Sequence, residues 1–205
     1  MARPTSSTVQ QPETFRGTSK RERILRAAVD VFAQNGYFNA KVSDIAKAAA
    51  VADGTIYLYF DNKEHVLTSI FREHTKQYIA SLRQELHNIG RAEDRIRTTI
   101  RHHLETLGND RALAVVSQVE LRHSLKFMKG FSQAEVADYL TLIREIVERG
   151  QEQGTFRRTL HPQLVAKSIF GILDEMVTSW ILSEKDYNLS DQADQIADLI
   201  LTGLL

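Results

Sequence analysis

Residues 42–60, VSDIAKAAAVADGTIYLYF, decide the fold of this chain. Apolar residues at helical spacing predict a short helix over about 41–49. Small residues in the turn over 50–53 allow two helices to approach closely, and a second short helix is predicted over 54–60. Two short helices joined by a compact turn are typical of a helix-turn-helix motif, whose second helix enters the major groove of DNA.

The second short helix has an apolar side and a polar side. Its isoleucine and phenylalanine are predicted to pack inward, whereas Thr55, Tyr57 and Tyr59 fall on the opposite side. Hydroxyl groups suit contacts with phosphate oxygens and base edges. Lys63, in the first turn of the next helix, opposes the helix dipole, a cost that a phosphate partner would compensate. Any bundle of three helices can contain such a pattern, so the periodicity alone leaves a purely structural explanation open.

Helical periodicity extends through the rest of the chain. Ser19 and Glu22 form a capping-box pattern that starts the first helix, and Gly36 ends it. Asn62 is the expected cap of a long helix to about residue 88, and Ser190 the expected cap of the last helix. No useful length alternates with period two. The predicted fold class is all-α, with a three-helix helix-turn-helix domain, a C-terminal helical bundle and further helices over about 91–107, 110–124, 133–153, 162–184 and 191–204.

Composition limits the classes of function. The 205 residues include 26 Lys and Arg and 26 Asp and Glu, so any contact with nucleic acid depends on local placement of charge. The absence of cysteine excludes a disulfide framework, thiol catalysis and Cys-ligated zinc. The first 18 residues are predicted to form a disordered arm that lacks the apolar segment of a secretory signal. The longest apolar run, residues 164–182, is interrupted by charges, so we expect a cytoplasmic protein.

Three strings near the N-terminus resemble the DNA-binding domain of the TetR family of bacterial transcriptional regulators: ILRAAVDVFAQNGY, VSDIAKAA and VADGTIYLYFDNKEHVL. The resemblance implies a homodimer that binds palindromic operator double-stranded DNA and is released by a small-molecule effector. It implies a DNA-binding domain over 19–66, after the arm over 1–18, and an effector-binding and dimerisation domain over 67–205. The implied DNA contacts are Ser43, Gly54, Thr55, Tyr57, Tyr59 and Lys63.

Three residues depart from the family pattern. The pair Ala40-Lys41 stands where many members have two threonines, and Ala50 replaces a usual turn glycine. Three basic residues lie before or at the start of the first helix, where contact with DNA and simple solvation explain them equally well. These residues are Arg16, Lys20 and Arg21.

Three later strings resemble the TetR-type regulators of fatty-acid degradation: LAVVSQVELRHS, IFGILDEMVTSWIL and SEKDYNL. That resemblance implies a long-chain acyl-coenzyme A (acyl-CoA) as effector, with no cofactor and no metal. It also implies that two apolar helices near the C-terminus form the dimer interface. Their apolar residues are Ile169, Ile172, Met176, Ile196, Leu199 and Ile200.

A residue pattern supports an amphiphilic effector. Val115, Val119 and Arg122 fall on one stripe of the helix predicted over 110–124, so an apolar face continues into a cation. A fatty chain requires an apolar tunnel, and a coenzyme A head requires cations at its mouth. An ion pair between Arg122 and Asp174 or Glu175 explains the same pattern, and both explanations remain open. The predicted ligand residues are Arg101, Val115, Val119, Arg122, Lys126, Phe127, Phe131, Phe170, Asp174, Val177 and Trp180.

Other classes of function find less support. The sequence has no H-E-x-x-H, G-x-S-x-G, G-x-G-x-x-G or P-loop motif, which disfavours an all-α enzyme. His102 and His103 point about 100° apart on a helix and cannot ligate one metal from one face. His103 is predicted to be a core residue with its hydrogen bonds satisfied. A TetR-type repressor that senses a drug-like molecule or a free fatty acid remains the main alternative.

Overall fold

The computed structural model describes residues 19–120 and 132–205. Within these ranges every regular element is a helix, which confirms the all-α prediction, and no helix is long and apolar enough to span a bilayer. The α-helices, numbered in chain order, are α1 (Lys20–Asn35), α2 (Val42–Ala48), α3 (Asp53–Ile56), α4 (Lys63–Leu86), α5 (Ala92–Gly108), α6 (Arg111–Val115), α7 (Ser132–Glu152), α8 (Pro162–Leu182) and α9 (Ala193–Leu204).

Local capping places the helix starts where the sequence predicts them. The Ser19 hydroxyl accepts from the backbone N–H of Glu22, whose carboxylate accepts in return from the N–H of Ser19. The Asn62 side chain accepts from the N–H of His65 at 2.8 Å and starts α4. Pro162 occupies the first turn of α8, where its missing N–H costs nothing.

The N-terminal core unites α1, α2, α3 and the first half of α4. Buried side chains from all four helices meet there, so the motif is held as one rigid unit. Ala50, in the turn between α2 and α3, has a φ of 52°. A side chain in this left-handed conformation costs roughly 1–2 kcal/mol, which explains why a glycine is usual at the position. The principal core residues are Ile24, Phe32, Ile45, Ile56, Phe60, Val66 and Leu67.

The C-terminal bundle is built on α5, which packs against α4, α7, α8 and α9. Its core consists mainly of aliphatic side chains, such as Ile96, Ile100 and Leu104 of α5, all fully buried. The second half of α4 belongs to this core, so α4 is a single helix shared by both units.

Three predicted elements differ from the structure. The second helix of the motif is shorter, because α3 ends at Ile56 and residues 57–59 continue as a turn. The helix predicted over 110–124 changes from α6 to a π-helical segment, Val116–Glu120, before the described range ends. The last helix is preceded by a 3-10 turn, Leu189–Gln192, in which Ser190 donates to the side chain of Asn188 and does not cap α9.

Candidate functional site

The turn formed by α3 and the residues after it presents aromatic side chains to solvent. Tyr57 is 57% exposed and Tyr59 is 38% exposed, while their neighbours Ile56 and Phe60 are 1% exposed. The buried pair anchors the turn on the core, so the two phenol rings are presented to solvent on its outer side. This arrangement suits a surface that inserts into a groove.

The other predicted DNA contacts in α2 and α3 are accessible to different degrees. Ser43 is exposed in the first turn of α2, and Thr55 is half-buried. At Gly54, an added Cβ would meet no atom of the protein within 4 Å, so the packing of this chain does not itself require a glycine. A residue without a side chain here allows close approach of an external partner.

Lys63, predicted as a phosphate contact, is engaged within the protein itself. Its ammonium donates to the carbonyls of Tyr37, Phe38 and Ala40 at 2.7, 3.1 and 2.8 Å, and it lies 4.7 Å from the centre of the Tyr37 ring. An ammonium has three donors, so all of them are used within the protein. Lys63 therefore fixes the α1–α2 loop, and contact with phosphate would require one of these bonds to break.

Two arginines in the first turn of α1 also stabilise the fold. Arg21 forms an ion pair with Glu73 of α4, and its guanidinium lies 5.1 Å from the centre of the Phe60 ring. Arg23 donates to the carbonyl of Ala49 at 2.8 Å and thus supports the turn of the motif. Arg16 lies outside the described residues.

The α6 joint, defined here as residues 110–116, connects the two units. Asp110 caps α6 by accepting from the N–H of Leu113 at 3.0 Å and forms an ion pair with Arg26 of α1. Arg111 donates to the carbonyl of Ile181, at the end of α8, at 2.9 Å. Its guanidinium also lies 4.8 Å from the centre of the Trp180 ring. Asp110 thus contacts the DNA-binding unit, the adjacent Arg111 contacts the C-terminal bundle, and together they connect the two units.

Sequence reasoning missed the α6 joint. Asp110 was recognisable as a helix cap, but its second partner lies 84 residues away. The joint is also apolar, since Ala112, Leu113 and Val116 pack on the N-terminal core whereas Ala114 belongs to the bundle core.

Several predicted ligand residues lie within or beside the bundle core. Val177 is fully buried, and Phe170 packs edge-on against Tyr139 with ring centres 6.1 Å apart. Trp180 is buried and donates to the carbonyl of Tyr187 at 3.0 Å. Others are half-buried or lie outside the described residues: Val115, Val119 and Asp174 are half-buried, and Arg122, Lys126, Phe127 and Phe131 lie outside.

Arg101 does not join the other predicted ligand residues. Its guanidinium is exposed on α5 and pairs with Asp194 of α9 at 2.6 Å. Residues two apart on a helix point about 200° apart, so Arg101 and the buried His103 face opposite sides of α5. The neighbouring Arg97 forms a parallel pair with Asp198 at 2.6 Å, and both arginines link α5 to α9.

A cluster of polar rings lies in the otherwise apolar bundle core. The hydroxyls of Tyr78 on α4 and Tyr139 on α7 each lie 3.3 Å from Nδ1 of His103. All three side chains are buried, and burial lowers the pKa of His103 to about 4 and raises the pKa of both tyrosines. His103 is therefore neutral at physiological pH. The described residues contain no group of His, Asp and Glu able to hold a metal ion.

The six apolar residues predicted on the dimer helices differ in exposure. Ile169, Ile196 and Ile200 are buried in the chain's own core, Ile172 and Met176 are half-buried, and Leu199 is 69% exposed. The three buried isoleucines therefore stabilise the chain's own fold, whereas Leu199 is accessible to a partner. Sequence reasoning missed other exposed leucines on α8, which fall on its outer side: Leu164 and Leu182.

Models of known families match nearly the whole described chain. Residues 24–70 match the model for bacterial regulatory proteins of the tetR family, and residues 71–203 match the model for the C-terminal region of YsiA-like proteins. The second match alone covers more than half of the chain. The chain belongs to the TetR family.

Known TetR relatives include regulators of lipid metabolism. The fatty acid metabolism regulator protein of Bacillus subtilis is 36% identical over 182 residues, covering 89% of this chain and 94% of the relative. The fatty acid degradation regulator FadR of Bacillus halodurans has 39% identity and a TM-score of 0.87, with 91% and 97% of the two chains covered. FadR of B. subtilis, solved in complex with stearoyl-CoA, has 36% identity and a TM-score of 0.85, with 90% and 99% covered.

Membership of the TetR family establishes the general activity. The protein is a DNA-binding transcriptional regulator and not an enzyme, and the exposed turn after α3 belongs to its helix-turn-helix. The boundary between the two matched models, at residues 70 and 71, lies inside α4. A single helix is therefore shared by the two matched regions.

Proposed function

We propose that the protein is a cytoplasmic, dimeric repressor that binds palindromic operator DNA, is released by a long-chain acyl-CoA, and controls genes of fatty-acid degradation. The observation that carries the proposal is similarity over nine tenths of the chain to fatty-acid regulators, one of them solved with stearoyl-CoA. Relatives at this identity and coverage share the C-terminal unit as well as the DNA-binding unit, which favours an effector of the same class over a drug-like molecule.

The DNA-binding domain is proposed to span 19–66 and the effector-binding and dimerisation domain 67–205, with residues 1–18 as an arm. Ser43 is proposed to contact phosphate, and Gly54, Thr55 and Tyr57 to form the recognition surface. Tyr59 is proposed to contact the DNA backbone, whereas Lys63 acts by holding the loop before α2. Two copies read a palindrome when their recognition helices lie about 34–36 Å apart.

The dimer is proposed to form through the outer sides of α8 and α9. Leu164 and Leu182 of α8 and Leu199 of α9 are exposed apolar side chains on these two helices. Gly171 of α8 and Gly203 of α9 have no protein atom within 4 Å of an added Cβ, which leaves room for another helix. Burial of exposed leucines between protomers contributes to association in proportion to apolar area.

The acyl chain is proposed to lie among Val115, Val119, Phe170, Val177 and Trp180, with Asp174 beside it. The cations at the mouth are proposed to be Arg122 and Lys126, next to the aromatic residues Phe127 and Phe131, in the chain segment between the two described ranges. Arg101 has an exposed partner and is not retained in this set.

Release of DNA follows from linkage between two arrangements of the dimer. One arrangement binds the operator well and the other binds it poorly. An effector that prefers the second arrangement can lower operator affinity by at most the ratio of its affinities for the two arrangements. The α6 joint is the proposed coupling element, because Asp110 and Arg111 bind α1 and the end of α8 respectively. The π-helical segment that follows adds a helical irregularity of the kind often found at functional sites.

Titration of the protein–operator complex with matched ligands tests the proposal. Dodecanoyl-CoA is expected to release the operator at lower concentration than either dodecanoate or free coenzyme A, because only the thioester combines an apolar tail with a multiply charged head. Fluorescence anisotropy of a labelled operator measures the release. Equal potency of dodecanoate would favour a free fatty acid as effector, and no response to all three would favour the drug-like alternative.

Arg26→Ala removes the pair with Asp110 and also a pair with Asp30 within α1. It is expected to weaken the coupling between effector binding and operator binding more than it lowers stability. Both pairs are partly exposed, so the free energy of unfolding should change by at most about 1 kcal/mol. The factor by which dodecanoyl-CoA weakens operator binding is expected to fall by about 2- to 30-fold. The matched control is Arg144→Ala, which removes a similarly exposed pair with Glu148 within α7. An unchanged factor in Arg26→Ala, measured by anisotropy, would argue against the α6 joint as the coupling element.

A further inference from the structure

Hydrogen bonds around His103 select one tautomer of its ring. The hydroxyls of Tyr78 and Tyr139 each lie 3.3 Å from Nδ1. If Nδ1 is unprotonated, it accepts a hydroxyl proton from this pair. If Nδ1 carries the proton, neither hydroxyl can donate to it, and at least one hydroxyl proton is left without an acceptor in the cluster. Because an unpaired buried donor is costly, the first arrangement is favoured, and it places the ring proton on Nε2.

Nε2 of His103 is buried and has no hydrogen-bond partner among the described residues. The adjacent His102 provides a direct contrast, since its Nδ1 lies 2.8 Å from Glu85 and its Nε2 lies 3.2 Å from Ser81. Both ring nitrogens of His102 therefore have partners, whereas Nε2 of His103 has none among the described residues. Buried polar groups nearly always have partners, so this donor is available to an acceptor from a bound ligand.

The surroundings of His103 define the acceptor. The aromatic rings of Tyr78 and Tyr139 flank it, and Phe170 of α8 packs against Tyr139. The negative charge of Asp174 acts on the imidazole, so a second carboxylate here would be repelled. An uncharged oxygen next to an apolar chain suits this apolar, negatively biased environment better than the ionised head of a free fatty acid does.

We propose that the Nε2–H of His103 donates a hydrogen bond to the thioester carbonyl oxygen of the acyl-CoA effector. The inference rests on the proposed function, because it takes the effector to be an acyl-CoA. The thioester carbonyl is the first acceptor met at the end of the apolar tail, and it carries no charge. The bond fixes the depth of the thioester, with the tail among the apolar residues of the bundle and the charged head outside. Tyr139 acts as a positioning residue that holds the donor tautomer.

A comparison of a thioester with its thioether tests the hydrogen bond. S-dodecyl-CoA has the same tail and head as dodecanoyl-CoA but a methylene in place of the carbonyl. Calorimetry with the full-length protein is expected to show about tenfold weaker binding of the thioether. In His103→Phe, which keeps a ring of similar size, the two compounds are expected to bind alike. In the matched control His102→Phe, the tenfold difference is expected to persist.

Nuclear magnetic resonance of the wild-type protein keeps the inference testable if His103→Phe does not fold. The Nε2–H proton of His103 is expected to shift downfield with dodecanoyl-CoA and not with S-dodecyl-CoA. Equal binding of the two compounds to the wild-type protein, or a tenfold difference that survives in His103→Phe, would overturn the inference and leave the proposed function intact. Failure of both compounds to bind would overturn the proposed function and this inference with it.

Discussion

Tyr57→Ala is expected to abolish specific operator binding while leaving the fold intact. The Tyr57 side chain is more than half exposed, so its removal leaves the N-terminal core unchanged. A side-chain contact with a base edge contributes about 1–3 kcal/mol, and a dimer loses two such contacts. The expected loss is therefore about 2–6 kcal/mol, which corresponds to roughly 30- to 20,000-fold in affinity. Anisotropy with operator and unrelated duplexes measures the loss.

Two further variants show what the Tyr57 result means. Tyr57→Phe keeps the ring and removes the hydroxyl, so it separates apolar contact from hydrogen bonding. Lys63→Ala is expected to lower the melting temperature, because it leaves three loop carbonyls without their charged donor. Normal operator binding by Tyr57→Ala, at an unchanged melting temperature, would show that the recognition surface lies elsewhere.

Affinity for acyl-CoA is expected to rise steeply with chain length. Each buried methylene contributes about 0.8 kcal/mol, so lengthening the tail from C8 to C12 contributes about 3 kcal/mol. That difference corresponds to a factor of about a hundred in the dissociation constant. Calorimetry with octanoyl-CoA, decanoyl-CoA and dodecanoyl-CoA, each below its micelle concentration, measures the slope.

The chain-length result separates a tail inside the bundle from a tail on its surface. A buried tail predicts a constant increment per methylene until the available length is filled. Free coenzyme A, which has no tail, serves as the control for the contribution of the head. Binding that stays flat from C8 to C12 would contradict an acyl site in the bundle.

Features that depend on neighbours in sequence were predictable from the sequence. The caps at Ser19 and Asn62 each join residues three apart, so both partners of each hydrogen bond are visible in a short stretch of sequence. The alternation of buried Ile56 and Phe60 with exposed Tyr57 and Tyr59 follows from the same local geometry. The family resemblance extended this reasoning to the DNA-binding activity.

The prediction from helical periodicity failed where the backbone changes from α-helical to π-helical geometry. Val115, Val119 and Arg122 were placed on one stripe by assuming an uninterrupted α-helix. The backbone changes to π-helical geometry at Val116, so the spacing on which that stripe depended does not hold through the segment. The switch is stabilised by packing against α1 and α8, which the segment's own sequence does not specify.

By itself, the sequence determined the helical class, the starts of α1 and α4 and the aromatic surface of the motif, because each depends on groups within about one turn of helix. Only the tertiary structure decided the partners of the charged and polar side chains. Arg101 meets Asp194 across 93 residues, Lys63 meets three carbonyls 23 to 26 residues away, and His103 meets two tyrosines from other helices. Long side chains have several possible partners in the unfolded chain, and helix packing selects one of them.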